Sequence, residues 1–396
     1  MACRRPELRG EGALPPRLAV STSMAAVAPS KETRSAVRGA NGPTTRPALL
    51  INDLVGNRSI LDRHVSNHEK DQVTSGHQST ATLQDLEELS IRNEVLAGLS
   101  ARPKRLSSKF FYDARGSELF EAICEQPEYY LTRTEIDIMR THGPAIGRAV
   151  GERVRLVEFG SGSGVKTRLL LQNLKFPAAY IPVEISKTAL AESVWKLGQE
   201  MPELSVIPLA GDFTQPLVLP NSQTPPRRTV VYFPGSTLGN SDQDEALQIL
   251  RNIRVAVGMG GGALIGIDLK KDVSELEAAY NDRAGVTAAF TLNMLTHLNR
   301  VARTNFDTSA FKHEARYDTE SGRIETNLVS ITNQAVQLAG ATFKFSRCEK
   351  MLVEYSHKYA LDEVESLAKR SNMRVAHVWT DPRRRFAVVH MVSTVQ

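Results

Sequence analysis

Residues 155–171 read RLVEFGSGSGVKTRLLL. An apolar run, three glycines on alternate positions and a helix-forming run follow one another without a break. That order fits a buried strand, a tight turn and the start of a helix. Gly160, Gly162 and Gly164 permit positive φ and let a ligand approach the backbone closely. The spacing then limits what the ligand can be. A phosphate loop needs glycine directly before its lysine, and here Val165 separates Gly164 from Lys166. The dinucleotide fingerprint G-x-G-x-x-G/A needs a small third residue. Counted from Gly160 that position is Val165, and from Gly162 it is Thr167.

What remains is an acid, Glu158, followed by the three glycines. A carboxylate at a strand end can face a cationic ligand head. S-adenosylmethionine carries an ammonium and a sulfonium and no phosphate, so it needs no phosphate-binding machinery. On this motif alone, a tight turn with no ligand also stays open.

Three later segments narrow the choice. After VRLVEF and the helix KTRLLLQNL, the strand AAYIPVEI ends at Glu184, where a carboxylate can take ribose hydroxyls. The helix SKTALAESVWKLGQEM follows, with Ser186 as its N-cap. LSVIPLAGDF reads as a third strand that delivers Asp212 and Phe213, an acceptor for an adenine amine and a ring to pack beside it. RRTVVYFPGSTLGN is a fourth strand whose loop carries Gly235, Ser236 and Asn240. SDQDEALQILRNIRVAV is a helix and GGALIGIDL a fifth strand. Alternating strands and helices give a parallel sheet covered on both faces, and such sheets bind ligands at the carboxyl ends of their strands. The predicted fold is α/β, a class I S-adenosylmethionine-dependent methyltransferase with a Rossmann-like seven-stranded sheet, closed by the terminal strands MRVAHVWTD and RRFAVVHMVST.

The rest of the chain departs from that rhythm. LQDLEELSIRNEVLAGLS, GSELFEAICEQ and TRTEIDIMRTHGPAIGRAV read as helices before the sheet, the last capped by Thr132 or Thr134. Beyond residue 270, VSELEAAYND, VTAAFTLNMLTHLNRVA and TSAFKHEA read as helices. RIETNLVSITNQAVQLAGATFKF reads as two antiparallel strands, EKMLVEYSHKY as another strand and ALDEVESLAKRSN as a helix. The expected division is a substrate-binding α+β domain over 81–140 plus 271–355, inserted in a methyltransferase domain over 141–270 plus 356–396. Residues 1–80 are Arg-, Ser- and Pro-rich, with only Glu7, Glu11 and Glu32 as acids in the first fifty. They read as a disordered extension; a transit segment shares that composition, and Met24 offers an alternative start.

Composition excludes several classes. The net charge is +5, with much of the basic excess near the N-terminus, so no nucleic-acid partner is expected. No apolar run is long enough to span a bilayer. Cys3, Cys124 and Cys348 are few and far apart, which argues against a disulfide framework or a cysteine metal site. A cytoplasmic monomer acting on a small molecule, with no metal and no membrane partner, is the expectation.

KFFYDARGSELFEAICEQPEYYLTRTE, VEFGSGSGVKTRLLL, GDF, GSTLGN, GIDLKKD, AYND, GVTAAFTLNML and KMLVEYSHKY occur in this order. Together they resemble the histidine-specific Nα-methyltransferases of ergothioneine biosynthesis, from about residue 90 to the C-terminus. The resemblance implies transfer of methyl groups from S-adenosylmethionine to L-histidine, giving the trimethyl betaine hercynine. It assigns Gly160, Lys166, Glu184, Asp212 and Phe213 to the cofactor. It assigns Tyr112, Tyr129, Asn240, Tyr280, Glu354 and Ser356 to the amino acid. Tyr112 and Asn240 would lie at the α-amine, Asn240 and Tyr280 at the carboxylate, and Tyr129, Glu354 and Ser356 at the imidazole. Two positions depart from the family pattern: Glu184 replaces an aspartate, and Thr326 stands where a methionine is expected beside the imidazole.

The residues alone support one part of this. In MLVEYSHKY, Leu352, Glu354 and Ser356 share a strand face by period 2, so an acceptor and a hydroxyl can enter one pocket. An exposed strand face with Glu354 paired to a lysine would have the same spacing. Rival readings are an Nα-methyltransferase of another amino acid, a protein side-chain methyltransferase, a non-catalytic S-adenosylmethionine-binding protein and a nicotinamide-dependent oxidoreductase.

Overall fold

The computed structural model describes residues 83–160, 162 and 164–394; the N-terminal extension, its transit-segment reading and Met24 lie outside them. The first strand, β1 (Val154–Phe159), pairs in parallel with β2 (Ala179–Glu184) on one side and β4 (Arg228–Phe233) on the other. β3 (Leu209–Ala210) extends the sheet beyond β2, and β5 (Gly262–Asp268) lies beyond β4. The last two strands, β11 (Met373–Thr380) and β12 (Phe386–Ser393), complete seven in the order β3-β2-β1-β4-β5-β12-β11. β12 runs antiparallel to both of its neighbours. Strand order reverses between β1 and β4, which opens a crevice at their carboxyl ends.

The strands are apolar on both faces because both faces are covered. Along β1, Val154 and Leu156 join one core with Tyr232, Leu264 and Val388, while Val157 and Phe159 join another with Val231, Phe233 and Ile265. The first core is closed by α3 (Tyr130–Val150), which contributes Ile138, Met139 and Ile146. The second is closed by α6 (Gln243–Val257) and α9 (Leu361–Arg370), through Ile249, Leu250, Ile253, Val364 and Leu367. α6 begins at a capping box, Asp242 with Glu245. The remaining Rossmann-type helices are α4 (Val165–Leu171) and α5 (Lys187–Glu200), and Ser186 caps α5 by accepting from Ala189 N.

The first core continues into α1 (Leu83–Ser100), α2 (Ala114–Glu125), α7 (Val273–Ala279) and α8 (Val286–Val301) through Val95, Leu119, Leu276 and Leu298. It also reaches a three-stranded antiparallel sheet in the order β10 (Lys350–His357), β7 (Arg323–Ser330), β6 (Phe311–Asp318). β8 (Gln334–Leu338) and β9 (Ala341–Phe345) form a separate hairpin. Two backbone bridges bind this sheet to its surroundings. Leu106 N donates to Leu352 O at 2.8 Å, and Tyr359 N donates to Asp268 O at 3.1 Å, so the end of β10 meets the end of β5. Ala81–Gln396 form one compact unit. The expected domain edges at 140/141 and 355/356 fall inside α3 and β10, which are continuous.

Four local expectations are corrected. TSAFKHEA is not a helix: only Thr308–Ala310 form a 3-10 turn, and Phe311–Asp318 is β6, paired with β7 over eight residues. Phe311 and Ala315 imitate a helical i, i+4 pair but are buried as strand residues. RIETNLVSITNQAVQLAGATFKF holds three strands rather than two. The third parallel strand shrinks to two residues, because Pro208 lacks the N–H a ladder needs. Neither Thr132 nor Thr134 caps α3, which starts at Tyr130 without a side-chain cap; Thr134 is buried.

α3 lies so close to the turn after α4 that Gly147 has no room for a side chain. A Cβ there would sit 2.1 Å from Asn173 O. Gly147→Ala should therefore destabilise the fold by about 1–3 kcal/mol through overpacking. Urea unfolding should show a lower midpoint with an unchanged m-value.

Candidate active site

The crevice between β1 and β4 is walled by backbone on one side. Gly160, Gly162 and Gly164 all have positive φ, 74°, 45° and 71°. A Cβ on Gly160 or Gly162 would meet nothing within 4 Å, so the side chains are absent beside open space rather than beside packed protein. Glu184 ends β2, and Ile185 N donates to its Oε1 at 2.9 Å. Asp212 is exposed after β3 and accepts from Thr214 N at 2.9 Å. Phe213 stacks on Phe159 at 5.4 Å and meets Phe233 edge-on at 5.2 Å. A cationic, aromatic-bearing ligand with hydroxyls suits this donor set of open backbone, two carboxylates and a fixed ring.

Glu158 does not face that crevice, contrary to the reading of the glycine motif. It shares its strand face with Val154 and Leu156 and is buried, where Thr167 Oγ1 donates to it at 2.7 Å and Tyr180 OH also donates. Burial pushes its carboxyl up to about 7, against the pull of those two hydroxyls. Lys166 Nζ is 2.7 Å from Glu135 Oε2, and Gly235 N donates to the same oxygen at 2.9 Å. Glu135, fully buried on α3, thus pins both loops that flank the crevice. It occupies the space left by Gly266, whose Cβ would lie 2.4 Å from Glu135 Oε1.

The opposite wall is made of side chains. β10 presents Glu354 and Ser356 on one face, as period 2 predicts. The 3-10 turn Thr237–Asn240 after β4 brings Asn240 Nδ2 to 3.4 Å from Glu354 Oε1. Tyr280, at the end of α7, places its hydroxyl 2.8 Å from Ser356 Oγ. Tyr129 meets the Tyr280 ring edge-on at 6.3 Å, and Phe120 links Tyr129 to Tyr112 at 6.2 and 5.9 Å. Tyr112 is 49% exposed. Burial raises the Glu354 carboxyl to about 7, with the Lys358 ammonium pulling the other way. Thr326 lies directly across from Glu354 in the β7–β10 register, buried, and its Oγ1 has no partner.

Beneath these groups lies a network that the motifs did not reveal. Lys358 is fully buried and donates to Asp268 Oδ2 (2.9 Å), Tyr280 OH (2.8 Å) and Ser356 Oγ (2.7 Å). Burial disfavours its charge, but the Asp268 carboxylate and then Tyr280 outweigh that and hold the ammonium above the usual lysine range. Asp268 also accepts from Tyr130 OH at 2.8 Å and from Lys271. Signals for both residues were present. Lys358 continues the Glu354, Ser356 period, and Asp268 ends an apolar strand as Glu184 does. Nothing in the sequence marks Glu135.

Residues 91–393 match the family described as histidine-specific, S-adenosylmethionine-dependent methyltransferases. The chain belongs to this family. A histidine N-alpha-methyltransferase of Mycolicibacterium smegmatis is 38% identical over 305 residues, 76% of this chain and 94% of that one. Its counterpart in Mycobacterium tuberculosis is 34% identical over 304 residues, 75% and 93% of the two chains. Ergothioneine biosynthesis protein 1 of Neurospora crassa is 26% identical over 307 residues, 74% of this chain but 34% of the longer relative. This member of the family uses S-adenosylmethionine, and its sheet order is that of the class I methyltransferases. Among the described residues no helix is long and apolar enough to cross a membrane, and no group of three or more His, Cys, Asp or Glu could hold a metal.

The buried Glu158 sets a pH dependence of stability. Its carboxyl is raised in the fold from an ordinary 4.5 to about 7, so the folded state prefers it protonated. That contribution is complete below the unfolded pKa and is lost as pH rises through about 7. The thermal midpoint should fall over this window, and Glu158→Gln should flatten the fall.

Proposed function

We propose that the chain methylates the α-nitrogen of L-histidine from S-adenosylmethionine and continues to the trimethyl betaine, hercynine, as a step toward ergothioneine. The observation that carries this reading is the pairing of Glu354 and Ser356 on one face of β10, with Asn240 and Tyr280 touching them. A carboxylate and a hydroxyl so placed suit the two ring nitrogens of an imidazole. Asn240 and Tyr280 are assigned to the substrate carboxylate, Tyr112 and Asn240 to the amine, and Tyr129 to a wall of the imidazole subsite.

On the cofactor side, the backbone of Gly160 and the first turn of α4 at Lys166 would border the methionyl part. Glu184 would take the ribose hydroxyls, and Asp212 and Phe213 the adenine. When bound, S-adenosylmethionine supplies a methyl group on a sulfonium for in-line displacement. The protein's contribution is positioning, which can replace much of the entropic barrier. The amine must present a lone pair. Peptide α-amines have pKa values near ~7.7–8.0, and a desolvated site beside a positive charge favours the neutral form further. Tyr112 and Asn240 therefore need only orient the nitrogen.

We assign residues 81–140 plus 271–355 chiefly to substrate binding and 141–270 plus 356–396 to the cofactor and sheet, as a division of labour across one compact unit. The catalyst is proposed to work as a cytoplasmic monomer without nucleic-acid partners. A second reading is favoured by one observation. The unpartnered hydroxyl of Thr326 beside Glu354 leaves polar capacity that histidine does not have to fill, so another amino acid with a further polar ring atom would also be accepted.

Mass spectrometry of products from separate incubations with each common amino acid tests both readings. Histidine alone gaining three methyl groups on its α-nitrogen is the expected result; methylation of another amino acid beside it would favour the second reading, and methylation of another amino acid without histidine would overturn the first. Glu354→Ala should lower kcat/KM for histidine at least about a hundredfold while calorimetry shows unchanged S-adenosylmethionine binding.

A further inference from the structure

The hydrogen-bond inventory around Lys358 fixes what the pocket can ask of a substrate. An ammonium has three protons and no acceptor. All three of Lys358 are committed, to Asp268 Oδ2, Tyr280 OH and Ser356 Oγ. Both hydroxyl oxygens therefore accept from the same lysine. Tyr280 and Ser356 are also 2.8 Å from each other, so one hydroxyl proton can lie between them. Of their two protons, at least one is left over. No acceptor among the described residues takes it. Glu354, two residues along the same strand face, is bonded to Asn240 instead.

We infer that Lys358 is a positioning residue that sets hydrogen-bond polarity: by donating to both oxygens it turns the hydroxyl protons of Tyr280 and Ser356 toward the pocket, where Tyr280 meets the substrate carboxylate and Ser356 demands an acceptor atom on the substrate ring. The inference rests on the reading of this pocket as an amino-acid site and deepens it. Glu354, an acceptor when ionised, demands the opposite, a donor. A ring that carries one N–H and one unprotonated nitrogen satisfies both at once, and neutral imidazole does so. An imidazolium, with two donors, or a pyrrole, with a donor and no acceptor, leaves the hydroxyl proton unmet. The selectivity thus originates in a residue that need never touch the substrate.

The position of Lys358 also makes the idea testable without dismantling the fold. If Lys358 is replaced, Asp268 still has Tyr130 and Lys271, so no isolated buried charge remains. Without the ammonium, neither hydroxyl oxygen is held as an acceptor from beneath, the pair can turn its protons away from the pocket, and the demand on the substrate weakens.

The experiment compares histidine with its pyrrole analogue, an alanine bearing a pyrrole ring that keeps one N–H and lacks the acceptor nitrogen. Wild-type enzyme, Lys358→Met and Lys358→Gln are assayed with both, and S-adenosylmethionine binding by calorimetry reports folding. Gln fills the space of Lys, and its amide oxygen can take the hydroxyl proton, so it serves where Met fails to fold. The wild type should prefer histidine by at least about a hundredfold in kcat/KM. In either variant the histidine KM should rise more than kcat falls, and the preference should shrink at least tenfold. Equal losses on both substrates would mark Lys358 as merely structural and overturn the inference, as would an unchanged preference. A wild-type enzyme inert toward histidine would instead overturn the proposed function, and this inference with it.

Discussion

Asp268 is the point on which the two halves of the site depend. It closes β5, the strand beside the cofactor crevice, and its side chain takes Lys358 from the end of β10, Lys271 from the following loop and Tyr130 from α3. Its own N–H donates to Ser236 Oγ in the loop after β4. Burying an ion costs several kcal/mol, and only a closely matched set of partners offsets it. Here the carboxylate meets two ammonium groups and a phenol, drawn together from the end of β10, the loop after β5 and α3. The network thus acts as a registration device.

The two walls of the site follow different physical rules. The proposed cofactor wall is backbone, held by carboxylates that face inward. Glu135 fixes Lys166 and Gly235, and Glu158 fixes Thr167 to Tyr180. Both acids sit on the protein side of the loop and shape it from beneath. The proposed substrate wall is side chains, and the lysine under them donates to both of its hydroxyls. A glycine loop suits a ligand that many enzymes share. A wall of paired side chains suits a ligand that must be told from its neighbours.

Much of this was legible in the sequence where a local rule has one reading. The glycine loop at 160–164, the strand ends at Glu184 and Asp212, and the alternation of Glu354 with Ser356 all follow from period and turn chemistry. The family resemblance added which of these to propose for the substrate. What failed was local pattern without context. Phe311 and Ala315 fit a helix until β7 pairs with them. Pro208 shortens a strand that apolar content alone would lengthen. Glu158 was read as facing a ligand because a strand end is where ligands sit, but strand parity turns it to the α3 side. Glu135 left no trace, since an acid in an amphipathic helix is ordinarily a surface residue and only the bareness of Gly266 makes room for it.

Repeated methylation imposes one more demand on the pocket. Each transfer removes an N–H from the substrate amine and the last leaves a fixed cation. A site that gripped the nitrogen by hydrogen bonds alone would hold each intermediate less well than the one before. In the proposed assignment the Tyr112 ring, with Phe120 and Phe290 edge-on beside it at 5.9 and 5.7 Å, avoids that dependence. Ring faces attract a cation whether or not it can donate a proton. Placed at the amine as proposed, the half-exposed Tyr112 ring would leave room for added methyls without displacing a packed core. In the proposed assignment Glu354 and Ser356 hold the imidazole, where nothing changes between cycles, and Tyr112 borders the amine, where everything does.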